Sequence, residues 1–98
     1  MSNGTYDKYM KAFLHIFTNH SKLKNYLTEE YVDLHDSFID VERLQRDSKT
    51  WSRSEKFLLE LALHVYTNNK NIDINEIDIL DHKNKMIVRK AFEIRFGW

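Results

Sequence analysis

The stretch Trp51-Ser-Arg-Ser-Glu-Lys-Phe-Leu-Leu-Glu-Leu-Ala-Leu-His-Val-Tyr66 decides what this chain can fold into. Placed on a helix, Phe57, Leu58, Leu59, Leu61, Ala62, Leu63 and Val65 cover most of the circumference, and Lys56, Glu60, His64 and Thr67 form one polar line. A helix apolar on nearly every side has to be surrounded by other elements, so this one is expected at the centre of the fold. Its start is marked by Ser52 and Glu55, a capping-box spacing in which the hydroxyl accepts from the Glu55 amide and the carboxylate from the Ser52 amide. Trp51, one residue before the cap, is placed to fold onto Lys56 or Phe57 as a hydrophobic staple.

The chain has no proline, and its two glycines are Gly4 and Gly97, so interior turns must come from Asn, Asp, Ser and Thr. From Thr5, the expected cap, to about Thr18, Tyr6, Tyr9, Met10, Phe13, Leu14 and Phe17 recur at helical spacing, and predict an amphipathic helix. Ser21 to Leu27 reads as a short helix, and Thr28 with Glu29 and Glu30 as the capped start of another. Thr67 to Asn71 is a tight asparagine-rich connection. His82 to Phe96, capped by Asp81, is the last helix, with Ile87, Val88, Ala91, Phe92, Ile94 and Phe96 inward and Lys85, Arg89, Lys90 and Glu93 outward.

Phe38-Ile-Asp-Val-Glu-Arg-Leu44 is echoed thirty-three residues later by Asn71-Ile-Asp-Ile-Asn-Glu-Ile77. Each Ile-Asp-(Val/Ile) triplet alternates as a half-buried strand does, and the two can pair as a small ribbon beside the central helix. Each is also followed by residues able to start a helical turn. The fold class expected is therefore mainly α: a compact single-domain bundle of four or five helices over residues 1–98 around a buried central helix, with room for a minimal two-stranded ribbon.

At 98 residues the chain is long enough for one core and too short for two domains. Fifteen basic and fifteen acidic side chains leave no net charge and no global field toward nucleic acid or anionic membrane. The absence of cysteine removes disulfides, thiolate catalysis and zinc–thiolate sites. No basic-then-apolar leader and no run of ~18 apolar residues stands in the sequence, so a cytoplasmic protein without membrane association is expected.

Charge is instead separated along the chain. Between Thr28 and Asp47 seven acids face Arg43 and Arg46, a local −5; from His82 to Trp98 five bases face Glu93, a local +4. Solvated helix faces that attract one another account for this pattern, and so does a bipolar surface that orients a partner. The candidate protein-binding residues are Glu29, Glu30, Tyr31, Asp33, Asp36 and Glu42, where acids interleave with Tyr31, Val32, Leu34 and Phe38, themselves either anchors or core. Lys83, Lys85, Arg89 and Lys90 are the alternative, a nucleic-acid-binding face. The spacing of the last two long helices does not suit a helix-turn-helix, whose turn is about three or four residues.

No catalytic, metal-ligating or cofactor-binding residue is identified, and no cofactor is expected. His15, His20, His35, His64 and His82 are scattered without the i, i+4 pairing of helical metal sites. Asp33-Leu-His-Asp36 could make a proton carrier of His35, yet no nucleophile or oxyanion donor accompanies it. Trp98, at the end of the sequence, is either folded back into the core or offered to a partner.

Trp51-Ser-x-Ser-Glu55, Leu58-Leu-x-Leu-Ala62, Ile72-Asp-Ile74, Leu80-Asp81 and Ala91-x-x-Ile-Arg95 together resemble a pattern in small uncharacterised proteins of Gram-positive bacteria and their phages, over residues 38 to 96. The resemblance implies a compact helical unit of bacterial or mobile-element origin and carries over no activity or site. The function expected is a small non-enzymatic regulator or inhibitor that binds a host or bacterial protein. A nucleic-acid-binding regulator and a structural or assembly component are the alternatives.

Overall fold

The computed structural model describes residues 7–67 and 71–98. They form four α-helices, α1 (Lys8–Asn19), α2 (Val41–Asp47), α3 (Arg53–Thr67) and α4 (His82–Phe96), and two 3-10 segments, Leu23–Tyr26 and Ile74–Ile79. The strands β1 (Val32–Asp33) and β2 (Phe38–Ile39) pair antiparallel, Val32 opposite Ile39 and Asp33 opposite Phe38. The chain is thus the mainly α bundle with a two-stranded ribbon that its patterning predicts.

The start of α3 is built by the capping box: Ser52 N donates to Glu55 Oε1 at 2.9 Å and Glu55 N to Ser52 Oγ at 3.3 Å. Glu55 also accepts from Lys22 Nζ at 3.2 Å, and these donors hold its carboxyl below the usual range. Trp51 is buried in the same core cluster as Phe57, and Tyr26 meets it edge to face with centroids 4.9 Å apart. The 3-10 turn of Leu23–Tyr26 brings Lys22 and Tyr26 to the entry of α3, and there they hold Trp51 from the other side of the chain.

Seven side chains of α3 are buried, Phe57, Leu58, Leu59, Leu61, Ala62, Leu63 and Val65, as a central helix requires. It is α1, however, that packs against both α3 and α4. Each of the three buries one alanine completely, Ala12, Ala62 and Ala91, the side chain that permits the closest interaxial approach. Phe13 and Phe17 of α1 stack with centroids 4.3 Å apart, and Phe13 reaches Tyr66 of α3 at 5.9 Å.

The other boundaries follow from side-chain caps. Asp7 accepts from Met10 N at 3.0 Å and begins α1, in place of the expected Thr5, which with Tyr6 lies outside the described residues. The expected turn at 68–70 lies outside them too. Asp81 accepts from Asn84 N at 2.8 Å and begins α4 at the expected residue.

The ribbon pairing differs from expectation, and the reason is again capping. Asp40 accepts from Arg43 N and Asp73 from Asn75 N, so Val41 and Ile74 become the first residues of helical segments instead of strand ends. The echo is real as an Ile-Asp cap motif, but its two copies do not pair. The helix expected from Thr28 is a single turn, with Thr28 O accepting from Tyr31 N and Val32 N, after which Val32 extends into β1 to bury against the core.

Leu58→Ala or Leu61→Ala should lower stability by about 2–5 kcal/mol, the range for truncating a buried leucine, and Ser52→Ala by about 1 kcal/mol; denaturant unfolding reads both. A pH effect follows from His20, buried at the end of α1, whose Nδ1 accepts from Lys22 N at 3.2 Å and Leu23 N at 3.4 Å. Burial holds its pKa below the ordinary 6.5, with Lys83 and Lys22 in the same direction and Glu55 and Asp81 opposed. A depressed folded pKa means that its contribution is complete above pH 6.5 and is lost as pH falls through the folded value. The melting temperature should fall from pH 7 to pH 5, and less so in His20→Asn, which keeps an acceptor without a titrating ring.

Candidate functional site

Two surfaces combine exposed apolar side chains with charge, and both hang on the last turn of α3. The first is the ribbon. Ser37 closes its turn with φ 53°, the left-handed region, and its carbonyl accepts from Tyr66 OH at 3.0 Å, which ties the tip to α3. Phe38 is 58% exposed and Leu34 39%, whereas Val32 and Ile39 are buried beneath them.

The acids of this stretch divide into two groups. Asp33 Oδ1 accepts from His35 N and Asp36 N, and so shapes the turn; Asp40 caps α2. Asp47 accepts from Tyr31 OH at 2.7 Å and Arg46 Nε at 3.0 Å, which lowers its pKa and raises that of Tyr31. Tyr31 is half-buried with its ring 5.0 Å from that of Tyr26. Tyr31 and Asp33 are therefore held by the fold, while Glu29, Glu30, Asp36 and Glu42 face solvent, Glu30 with Arg43 at 3.1 Å. The ion pairs here are local, to Arg43 and Arg46, and Arg89 and Lys90 pair instead with Glu93.

The second surface is the C-terminal end of α4. Gly97 adopts φ 72° and, with Trp98, donates its backbone N–H to Glu93 O, a Schellman ending that fixes the direction of the last residue. Trp98 is 77% exposed yet held: its ring stacks on Phe96 at 5.5 Å and meets Phe92 edge-on at 6.2 Å. Phe96, expected inward, is half exposed. The rings border a groove of about 340 Å³ whose aliphatic lining is Leu61, Val65, Ile72 and Ile74.

Arg95 takes the inward place instead, 9% exposed. Its Nε donates to Val65 O at 3.0 Å, and its guanidinium lies 4.0 Å from the centroid of Tyr9 and 4.9 Å from that of Phe96. Val65 O lies in the last turn of α3, so a buried cation meets the C-terminal end of that helix. The i, i+3, i+7 spacing of Val88, Ala91 and Arg95 carried this signal; the charge concealed it.

The four bases of the alternative site do not converge. Lys85 and Arg89 share a line with Phe92 and Phe96, whereas Lys83 and Lys90 form a second line across the helix. Glu93 stands between, 3.6 Å from Arg89 and 3.5 Å from Lys90. A polar cleft of about 300 Å³ joins His20, Glu55, Asp81 and Lys83, but His20, Glu55 and Asp81 are already engaged in turn and cap bonds. Among the described residues no group of three or more His, Asp or Glu could hold a metal ion, and no helix is long and apolar enough to cross a membrane. No family model, curated protein or solved structure matches the chain significantly.

Arg95→Ala should cost about 1.5–3 kcal/mol, the range for hydrogen bonds made by charged groups. Arg95→Lys should restore only part of it, because an ammonium cannot lie flat on Tyr9 while donating to Val65 O. Thermal unfolding of the two variants checks this.

Proposed function

We propose that the protein is a small cytoplasmic regulator or inhibitor, of phage or mobile-element type, that occupies a surface of a host protein by means of its ribbon and performs no chemistry of its own. The observation that carries this reading is the exposed Phe38, on a turn pinned to α3 by the Tyr66–Ser37 hydrogen bond and accompanied by Asp36, Glu29 and Glu42. An aromatic anchor on a fixed backbone loses little freedom on binding, and acids that no cap consumes supply a field that steers association. The partner this suits has an apolar pocket rimmed by basic side chains, the kind of site that also receives nucleic acid. The basic face of α4 is less suited to a phosphate backbone, because Glu93 lies in its middle.

The test is recovery of the partner from host extract with wild type, Phe38→Ala, Asp36→Lys/Glu42→Lys and Lys85→Glu/Arg89→Glu. Phe38→Ala should leave stability within about 0.5 kcal/mol, as for other exposed positions, and weaken the partner's binding by at least ~30-fold, a hot-spot loss. The acid-reversal variant should bind more slowly and lose its sensitivity to salt. A partner lost only with the Lys85→Glu/Arg89→Glu variant would move the contact to α4 and end this assignment.

A further inference from the structure

The groove beside Trp98 has much of what the ribbon's partner is expected to have: an apolar floor and aromatic walls, with Arg89 one turn before Phe92 on the same line of α4. We propose that it receives the ribbon of a second copy of this chain. The inference takes from the functional reading only that the ribbon is a contact surface, and it requires no outside partner.

Complementarity of charge and shape carries it. On one side are Phe38 and Leu34 with Asp36 and Glu42, all exposed; on the other are Trp98, Phe96 and Ile74, also exposed, with Lys85 and Arg89 on the line of Phe92 and Phe96. The ribbon thus carries acids, and the line of α4 that leads to the groove carries bases. The pair between Arg89 and Glu93 is an exposed i, i+4 contact of 3.6 Å, which costs little to exchange for a carboxylate of another molecule. Neither face is assembled on association, because the Schellman ending fixes Trp98 and the Tyr66 bond fixes the ribbon tip.

Both faces attach to the last turn of α3, the ribbon through Tyr66 and α4 through Val65. They differ from one another, so two copies either exchange ribbons reciprocally about a two-fold axis or make a one-way, heterologous contact that closes into a ring or runs on. A few anchors on each side fall short of the ~20–30 residues of a standard stable interface, so association is weak and depends on concentration. A copy held in this way does not offer its ribbon to another protein, which makes self-association a brake on the proposed activity.

Sedimentation velocity of the full chain at rising concentration tests the proposal. The mass should grow from 11.9 kDa toward multiples of it, and less at high salt. Phe38→Ala and Trp98→Ala should each abolish the growth. Asp36→Lys/Glu42→Lys, with both faces basic, and Lys85→Glu/Arg89→Glu, with both faces acidic, should each stay monomeric alone and associate when mixed, because mixing restores opposite charge. A wild type that sediments as a monomer up to ~1 mM, the weak limit of specific binding, would overturn the proposal without touching the pull-down result. Association that survives Phe38→Ala or Trp98→Ala, or a mixture that stays monomeric, would also overturn it and leave the groove to an outside protein or to nucleic acid.

Discussion

Three helices meet at the guanidinium of Arg95. It belongs to α4, donates to the last turn of α3 at Val65 O, and lies flat on Tyr9 at the start of α1. The positive charge sits at the negative end of the α3 dipole in a buried place, where that interaction is screened least. Because this tie sets where the end of α4 lies against α3, it also sets the position of Phe92, Phe96 and Trp98, and hence the groove. The surface feature follows from a buried one.

Carboxylates do much of the work that glycine and proline do in other chains. Asp7, Asp40, Asp73 and Asp81 each accept a backbone N–H at the start of a helical segment, and Asp33 does so in the ribbon turn. An acid used in this way is oriented toward the backbone and contributes less to the outer field. The local −5 read along the chain is therefore divided, and what remains on the surface is the part carried by Glu29, Glu30, Asp36 and Glu42. A neutral protein can still present a charged face when its structural acids and its surface acids lie in different places.

The long elements were legible because their information is local. The capping box at Ser52, the apolar circumference of α3 and the Asp81 cap with its 3.6-residue stripe all appear within one window of sequence. What was illegible depended on competition or on distance. Ile39-Asp40-Val41 satisfies a strand pattern and a cap pattern at once, and the hydrogen bond from Arg43 N decides for the cap. The contact of Tyr26 with Trp51 spans twenty-five residues and leaves no local pattern. Of the candidate site, the solvent-facing acids could be named from sequence, but the exposure of Phe38 and Phe96 could not, since an aromatic at helical or strand spacing reads as core.

The two tryptophans occupy opposite environments, Trp51 at 6% exposure against Tyr26 and Trp98 at 77% on the rim of the groove. The unlabelled molecule is thereby its own two-channel optical probe. An indole shielded from water emits at shorter wavelength than a hydrated one, and a dissolved quencher such as iodide reaches only the latter. The red, quenchable part of the fluorescence reports whether the C-terminal rim is covered, and the blue, protected part reports whether the core is intact, so occupancy and unfolding can be followed separately in one sample.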